Sequence, residues 1–308
     1  MLTIFGSINI DQVIRVPNIP VPGETVLGDR VMDTHGGKGA NQAVAGARMG
    51  AGTIPVVMIG TVGDDAFGKA ALQNFAENKV RADCTVLPDC ATGTAFITLG
   101  SDGENAITVV PDANGLLEAA HASVEVLQKT SVLLCQGEVS LKETAHVMGV
   151  HRSANPNGTS VLNLAPVPQD GDLGTLRAAL ETCDILIVNE GEAEAICDLL
   201  AAPDKRDLSA LAKAIGCEVV VTRGPDGADL FLKDGRVTHV SSPQIDPVDT
   251  TGAGDTFCGA FAALLAEGRE MKPALAMACE AAAKACCAIG AQTGMPRRHE
   301  ILKDTDPS

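Results

Sequence analysis

Tyrosine and tryptophan are absent from this 308-residue chain, and only seven phenylalanines are present. Flat rings such as nucleobases are commonly gripped between aromatic side chains, so a stacking platform is a device this protein has little means to build. Long basic runs are missing too: 23 Lys and Arg are scattered among 39 Asp and Glu, for a net charge of −16. A phosphate backbone attracts clustered cations, which excludes nucleic acid as a partner. No stretch approaches eighteen uninterrupted apolar residues, so no membrane span is expected. The opening Met1-Leu2-Thr3-Ile4-Phe5-Gly6 lacks the basic and long apolar regions of a secretory signal. None of the ten cysteines falls in a C-x-x-C pair. They lie in apolar runs such as Val132–Cys135 and Ala285–Ala288, as buried free thiols do, which points to the reducing cytoplasm.

What remains is an apolar chain able to fold. With 45% hydrophobic and 20% charged residues, it can form one large domain with an appendage, or two domains. The continuous apolar runs Leu2–Gly6, Ile54–Gly60, Val132–Cys135, Ser160–Asn163, Asp184–Asn189 and Glu218–Thr222 read as buried parallel strands. Between them, Gly39–Met49, Asp65–Asn78, Leu116–Gln128, Leu141–His151, Glu190–Leu200 and Leu208–Ile215 read as helices. The alternation predicts a three-layer α/β/α domain built on a parallel sheet. Residues 10–34 and 91–113 break the rhythm with period-two patterns, as in Thr94–Leu99 and Ala106–Val110 around the turn Ser101-Asp102-Gly103-Glu104. They predict a small antiparallel sheet, a lid projecting from a main domain of 1–9, 35–90 and 114–308; an ordinary edge hairpin is the alternative. A further hairpin is expected about Lys233-Asp234-Gly235, followed by Ala-rich helices near Ala253–Ala266 and Pro273–Ala288.

The acidic surface repels phosphates, so any phosphate site must be assembled locally from backbone amides and a few cations. Asp249-Thr250-Thr251-Gly252-Ala253-Gly254-Asp255-Thr256 offers such a place, since small residues there crowd a turn that runs into an apolar helix. Unpaired amides at a helix start, with the helix dipole behind them, bind anions. A Walker A loop would need a Lys that is missing here. Asp255 stands beside this anion site, either as a general base for an attacking hydroxyl or as a helix N-cap. Asn189-Glu190-Gly191-Glu192 and Thr222-Arg223-Gly224 each follow a predicted strand, at the carboxyl ends where α/β sheets bind ligands. Both are equally readable as a capped helix start and an exposed Arg. Asn9 and Asp11 are two apart, so on an extended chain they face one side. In His35-Gly36-Gly37-Lys38-Gly39-Ala40-Asn41-Gln42-Ala43, glycines permit close backbone approach and Asn41 offers donor and acceptor.

The segment from Asp249 to Gly259 resembles the C-terminal signature of the ribokinase-like (PfkB-type) sugar kinases, and His35–Ala43 resembles their N-terminal signature. Pro22-Gly23-Glu24-Thr25 is similar to a motif of their lid, and the likeness runs from Gly6 to about Pro296. It implies ATP-dependent phosphorylation of a sugar's primary hydroxyl, with D-ribose favoured over fructose, 2-keto-3-deoxygluconate, a nucleoside, or a role as an inactive sugar-binding regulator. By this resemblance Asp255 is the catalytic base, and the amides of Gly252, Ala253 and Gly254 form an anion hole. Asn9, Asp11, Gly36, Gly37, Lys38, Asn41 and Glu138 hold the sugar. Asn189 and Glu192 organise water around Mg²⁺, while Thr222, Arg223, Gly224, Gly227 and Gly254 meet the nucleotide. Asp249, with Thr251, Ala285, Ala288, Gly290 and Gly294, would hold an activating K⁺, although Gly294 stands where relatives often carry Ser. The same likeness implies a homodimer formed through the lid.

Overall fold

A computed structural model describes residues 1–168, 172–202, 204 and 207–301. Strand β1 (Leu2–Phe5) leads into the hairpin β2 (Asn9–Arg15) and β3 (Asp29–Gly36). Helix α1 (Lys38–Gly50), β4 (Val56–Ile59), β5 (Thr61–Gly63), α2 (Ala66–Glu77), β6 (Arg81–Ala82) and β7 (Thr85–Leu87) follow, and then a second hairpin, β8 (Gly93–Leu99) and β9 (Asn105–Val110). Next come α3 (Val124–Lys129), β10 (Val132–Gln136), α4 (Leu141–Ala154), β11 (Thr159–Asn163), α5 (Leu173–Thr182), β12 (Ile185–Asn189), α6 (Glu190–Leu199), α7 (Leu208–Ile215) and β13 (Glu218–Thr222). The chain closes with β14 (Ala228–Phe231), β15 (Val237–Val240), α8 (Ala253–Ala266), α9 (Met271–Ala285), α10 (Ala291–Gly294) and α11 (Arg298–Ile301).

Among the described residues, nine strands form the central sheet in the order β15-β14-β13-β12-β11-β10-β1-β4-β6, parallel except where β14 and β15 join antiparallel. Alternation along each strand splits the interior in two. Leu2, Ile4 and Met58 pack with Phe257 and Phe261 against α1, α8 and α9. Phe5, Val57 and Ile59 face the opposite layer with Leu127, Val147, Leu176 and Ile196. Three layers result.

Two features depart from the sequence reading. Leu116–Gln128 is not one helix: short 3₁₀ turns at Asp112–Leu116 and Ala119–His121 precede α3. Leu117 and Ala122 adopt extended backbone, and Ser123 restarts the helix by accepting from the Val126 amide. The second four-stranded sheet, β3-β2-β8-β9, is mixed rather than antiparallel. Each hairpin is antiparallel, but β2 and β8 run parallel from Asn9↔Gly93 to Arg15↔Leu99. Between the hairpins the chain returns to the main sheet, so both first strands leave it from the same base.

Helices α1 and α8 approach closely because their facing positions are small. A Cβ on Gly259 would lie 2.3 Å from the Gln42 carbonyl oxygen, and one on Gly46 would lie 3.3 Å from the Gly259 carbonyl oxygen. This contact brings the amino ends of the two helices together.

Candidate active site

Helix α8 begins at Gly252, whose φ of 76° is a left-handed conformation suited to glycine. Asp255 occupies the first turn, and its carboxylate does not cap the helix. It is 8% exposed and accepts two bonds from α1: Asn41 Nδ2 donates to Oδ2 at 2.9 Å, and Gln42 Nε2 donates to Oδ1 at 3.0 Å. Gln42 also donates to Asn163 Oδ1 at 3.0 Å and accepts from Gln136 Nε2 at 2.8 Å. Asn41 accepts from Gln292 Nε2 at 2.9 Å. Its oxygen is therefore occupied and one N–H spent on Asp255, which leaves one N–H for a substrate hydroxyl. Of the three amides expected to form an anion hole, Ala253's already donates to the Thr250 carbonyl at 3.2 Å.

The base of the small sheet supplies the other polar groups. Asn9 Oδ1 accepts from Asn114 Nδ2 at 2.7 Å, and the Asn114 amide also bonds both backbone groups of Ile8. Asp11 lies against Gly36, where an added Cβ would sit 2.2 Å from the carboxylate oxygens. Glu138 Oε2 accepts from Ser7 Oγ at 2.6 Å and from the Lys38 amide at 2.9 Å, tying the start of α1 to the end of β10. Burial, and then the charges of Glu138 and Asp255, push Asp11 up to about 7. Burial opposes the charge on Lys38, but Asp255, Glu138 and Glu192 outweigh it and hold that ammonium above its ordinary range. One cation thus stands among converging carboxylates.

A cavity of about 280 Å³ adjoins the first turn of α8 and is lined by Thr222, Gly224, Gly227, Gly254 and Phe257, with Cys279 and Cys286 deeper in. Arg223 does not line it. The guanidinium expected to meet phosphate pairs instead with Asp229 at 2.6 Å and with Glu190, because β14 brings Asp229 alongside the end of β13. Asn189 and Glu192 bond reciprocally across the first turn of α6, each side chain accepting the other's amide at 2.8 Å. Burial pushes Glu192 up, against the Asn189 amide and Lys38. Asp249 accepts from the amides of Thr251 at 2.9 Å and Gly290 at 2.8 Å, so it does cap its turn. A Cβ on Gly294 would lie 2.6 Å from the Ala285 carbonyl oxygen and 3.4 Å from that of Ala288, so both oxygens lie close to that glycine. Among the described residues, no cluster of three or more His, Cys, Asp or Glu side chains could hold a metal.

Residues 1–298 match the model of the pfkB family of carbohydrate kinases. The chain belongs to that family. This sugar kinase is 37% identical to the ribokinase of Bacillus subtilis (strain 168), over 97% of each chain. It is similar to the crystal structure of Thermotoga maritima ribokinase, with a TM-score of 0.87 and 29% identity over 98% of this chain and 97% of that one. The Arabidopsis thaliana ribokinase solved with ribose and ATP has a TM-score of 0.83 at 29% identity, over 98% of this chain and 97% of that one.

Sequence reasoning left Ser7, Gln42, Asn114, Gln136, Asn163 and Gln292 without roles. Gln42 lies inside the quoted glycine-rich motif, so a search for partners of Asp255 there would have found it. Nothing local marks the others.

Asp11 generates a pH prediction. An acid whose folded pKa is raised stabilises the fold below its unfolded value near 3.8 and loses that contribution as pH rises through about 7. Asp11→Asn should therefore raise stability at about pH 8 by on the order of 1–3 kcal/mol, and the gain should vanish near pH 4. If Asp11 holds the sugar, as the family resemblance implies, the change should also raise the sugar KM by roughly 10–100-fold, because a hydrogen-bond acceptor is lost. Thermal melts across pH, with sugar KM measured alongside, check both; equal melting temperatures at alkaline pH would contradict the buried-charge account.

Proposed function

We propose that this protein transfers the γ-phosphoryl group of ATP to the primary hydroxyl of D-ribose, giving ribose 5-phosphate and ADP. One observation carries the reading: Asp255 stands at the amino end of α8, between the cavity at Gly224–Gly254 and the polar groups at the base of the small sheet. A base must lie where nucleophile and phosphoryl group meet. The sugar binds among Asn9, Asp11, the Gly36-Gly37 backbone, Lys38, Asn41 and Glu138, and the nucleotide binds along Thr222, Gly224, Gly227 and Gly254. Asp255 takes the proton of the primary hydroxyl, and that oxygen attacks the γ-phosphorus as the bond to the bridging oxygen of ADP breaks. Lys38 and the amides of Gly252 and Gly254 face the charge that develops. The small sheet, acting as a lid, excludes water as a competing acceptor. Ribokinase relatives over nearly the whole chain support the choice of sugar.

Mg²⁺ fits the phosphate end, since a hard ion that keeps its water needs carboxylate beyond direct contact. Glu192, with Asn189, would hold it through water, and when bound it offsets polyphosphate charge. K⁺ suits the carbonyls of Ala285, Ala288, Thr251 and Gly290 beside Asp249, because backbone oxygens can replace its hydration shell. The lid further suits a homodimer. Ile97, Ile107 and Val109 share the face that carries Asp11, and Ile107 and Val109 are 56% and 47% exposed. Pairing two such faces covers apolar surface and open edges together. Ten cysteines without a disulfide suit the cytoplasm.

The acceptor is tested by coupled assay of ribose, 2-deoxyribose, fructose, 2-keto-3-deoxygluconate and nucleosides, with potassium replacing tetramethylammonium at constant ionic strength. Ribose should give the highest kcat/KM, and turnover should rise saturably with potassium. A hexose or nucleoside more than tenfold better removes the ribose assignment, and identical rates in both salts remove the cation site. Asp255→Asn keeps shape and removes basicity, so kcat should fall by at least about 10² with ATP binding kept; near wild-type turnover would refute the base. Sedimentation at micromolar concentration should give a dimer, which Ile107→Glu with Val109→Glu converts to monomer; a wild-type monomer overturns the lid interface.

A further inference from the structure

A chain of side-chain hydrogen bonds runs from the surface to Asp255. Arg48 Nε donates to Asn78 Oδ1 at 3.0 Å, Asn78 Nδ2 to Asn74 Oδ1 at 3.1 Å, and Asn74 Nδ2 to Gln292 Oε1 at 2.8 Å. Gln292 Nε2 then donates to Asn41 Oδ1 at 2.9 Å, and Asn41 Nδ2 to Asp255 at 2.9 Å. Four carboxamides from α2, α10 and α1 thus link a guanidinium to a carboxylate. Gln292 and Asn41 are 5% and 6% exposed, so solvent does not substitute readily for either partner.

The two ends set the direction of every bond between them. A guanidinium can only donate, and an ionised carboxylate can only accept. Each amide must therefore present its oxygen toward Arg48 and its nitrogen toward Asp255; one inverted amide puts two acceptors or two donors face to face. Asn41 alone carries no such instruction, because its two ends are nearly isosteric and the neighbours decide which points where. If its oxygen turned to Asp255, the base would lose a donor and gain a repulsive contact. The Gln292 backbone is pinned too, since Arg48 Nη1 donates to the carbonyls of Gln292 and Met295.

We propose that Gln292 is a positioning residue for the catalytic base, acting through Asn41 to fix the amide edge that meets Asp255. The proposal rests on the reading of Asp255 as the base. Gln292 touches neither substrate. Its contribution is to hold the carboxylate in the orientation that receives the hydroxyl proton, where small misplacements cost rate rather than binding. Gln42, held from the other side by Asn163 and Gln136, fixes the second carboxylate oxygen independently.

The test is kinetic. Gln292→Met keeps length and removes both polar ends; kcat should fall about tenfold, with both KM values within about twofold of wild type. Asn74→Asp, on the partly exposed face of α2, replaces a donor by an acceptor, which forces Gln292 to turn its nitrogen away from Asn41. It should lower kcat about threefold and serves if the buried variant fails to fold. A double-mutant cycle separates positioning from structure. In an Asp255→Asn background, whose residual turnover is read with radiolabelled ATP, Gln292→Met should change kcat less than about twofold. Wild-type kcat in both single variants, or an undiminished loss in the Asp255→Asn background, overturns the proposal. Near wild-type turnover of Asp255→Asn alone would instead remove the base itself.

Discussion

Two hydrogen bonds hold the candidate base in place: those from Asn41 and Gln42 to Asp255, across 214 and 213 residues of sequence. They exist only because α1 and α8 lie side by side over Gly46 and Gly259, where side chains would force the helices apart. Packing at one end of the helix pair therefore sets geometry at the other. The apolar layer beneath, with Ile4, Phe257 and Phe261, holds both helices against the sheet and leaves their amino ends at the carboxyl edge. Amide donors, glycine turn and carboxylate share one small volume as a result.

In the same volume a chain of net charge −16 places one cation beside the two helix starts. Lys38 is half-buried among Asp255, Glu138 and Glu192, whose charges hold its ammonium above the ordinary range. All three carboxylates are already engaged: Asp255 by Asn41 and Gln42, Glu138 by Ser7 and the Lys38 amide, Glu192 by the Asn189 amide. Arg223 is absorbed by Asp229 and Glu190, which fastens the turn after β13 to the start of α6. The carboxylates around Lys38 outnumber it, so an anion here would depend on the backbone amides at the start of α8 as well.

Much of this was legible from residue order. Continuous Val, Ile and Leu runs marked the parallel strands, with Glu218–Thr222 found to the residue, because a strand covered on both faces has no polar side to confuse the pattern. The glycine-rich and Asp249–Asp255 segments marked the two helix starts, since small residues before an apolar helix have few other uses. The parallel join of β2 to β8 was not legible, because period-two patterning fixes which face a residue takes but not which strand lies next to it. Leu116–Gln128 failed for a related reason: its apolar spacing suits a helix, while the tie from Asn114 to Ile8 and the cap at Ser123 are set by tertiary contact and local hydrogen bonding. Gln292 could not be found at all. An amide in the four-residue α10 has no periodicity to mark it, and its meaning comes from Asn41, 251 residues away.

The parallel join has a mechanical consequence. Both hairpins of the small sheet rise from Asn9 and Gly93, adjacent points, and Asn114 rivets that base by bonding Ile8 and Asn9 together. Any tilt of the four strands as one plate would pivot at that base and would carry Asp11, two residues above it. With Asp11 holding the sugar as proposed, such a plate could not open while its grip was intact. Affinity and enclosure would then be the same coordinate, and neither could be tuned through the pivot without moving the other.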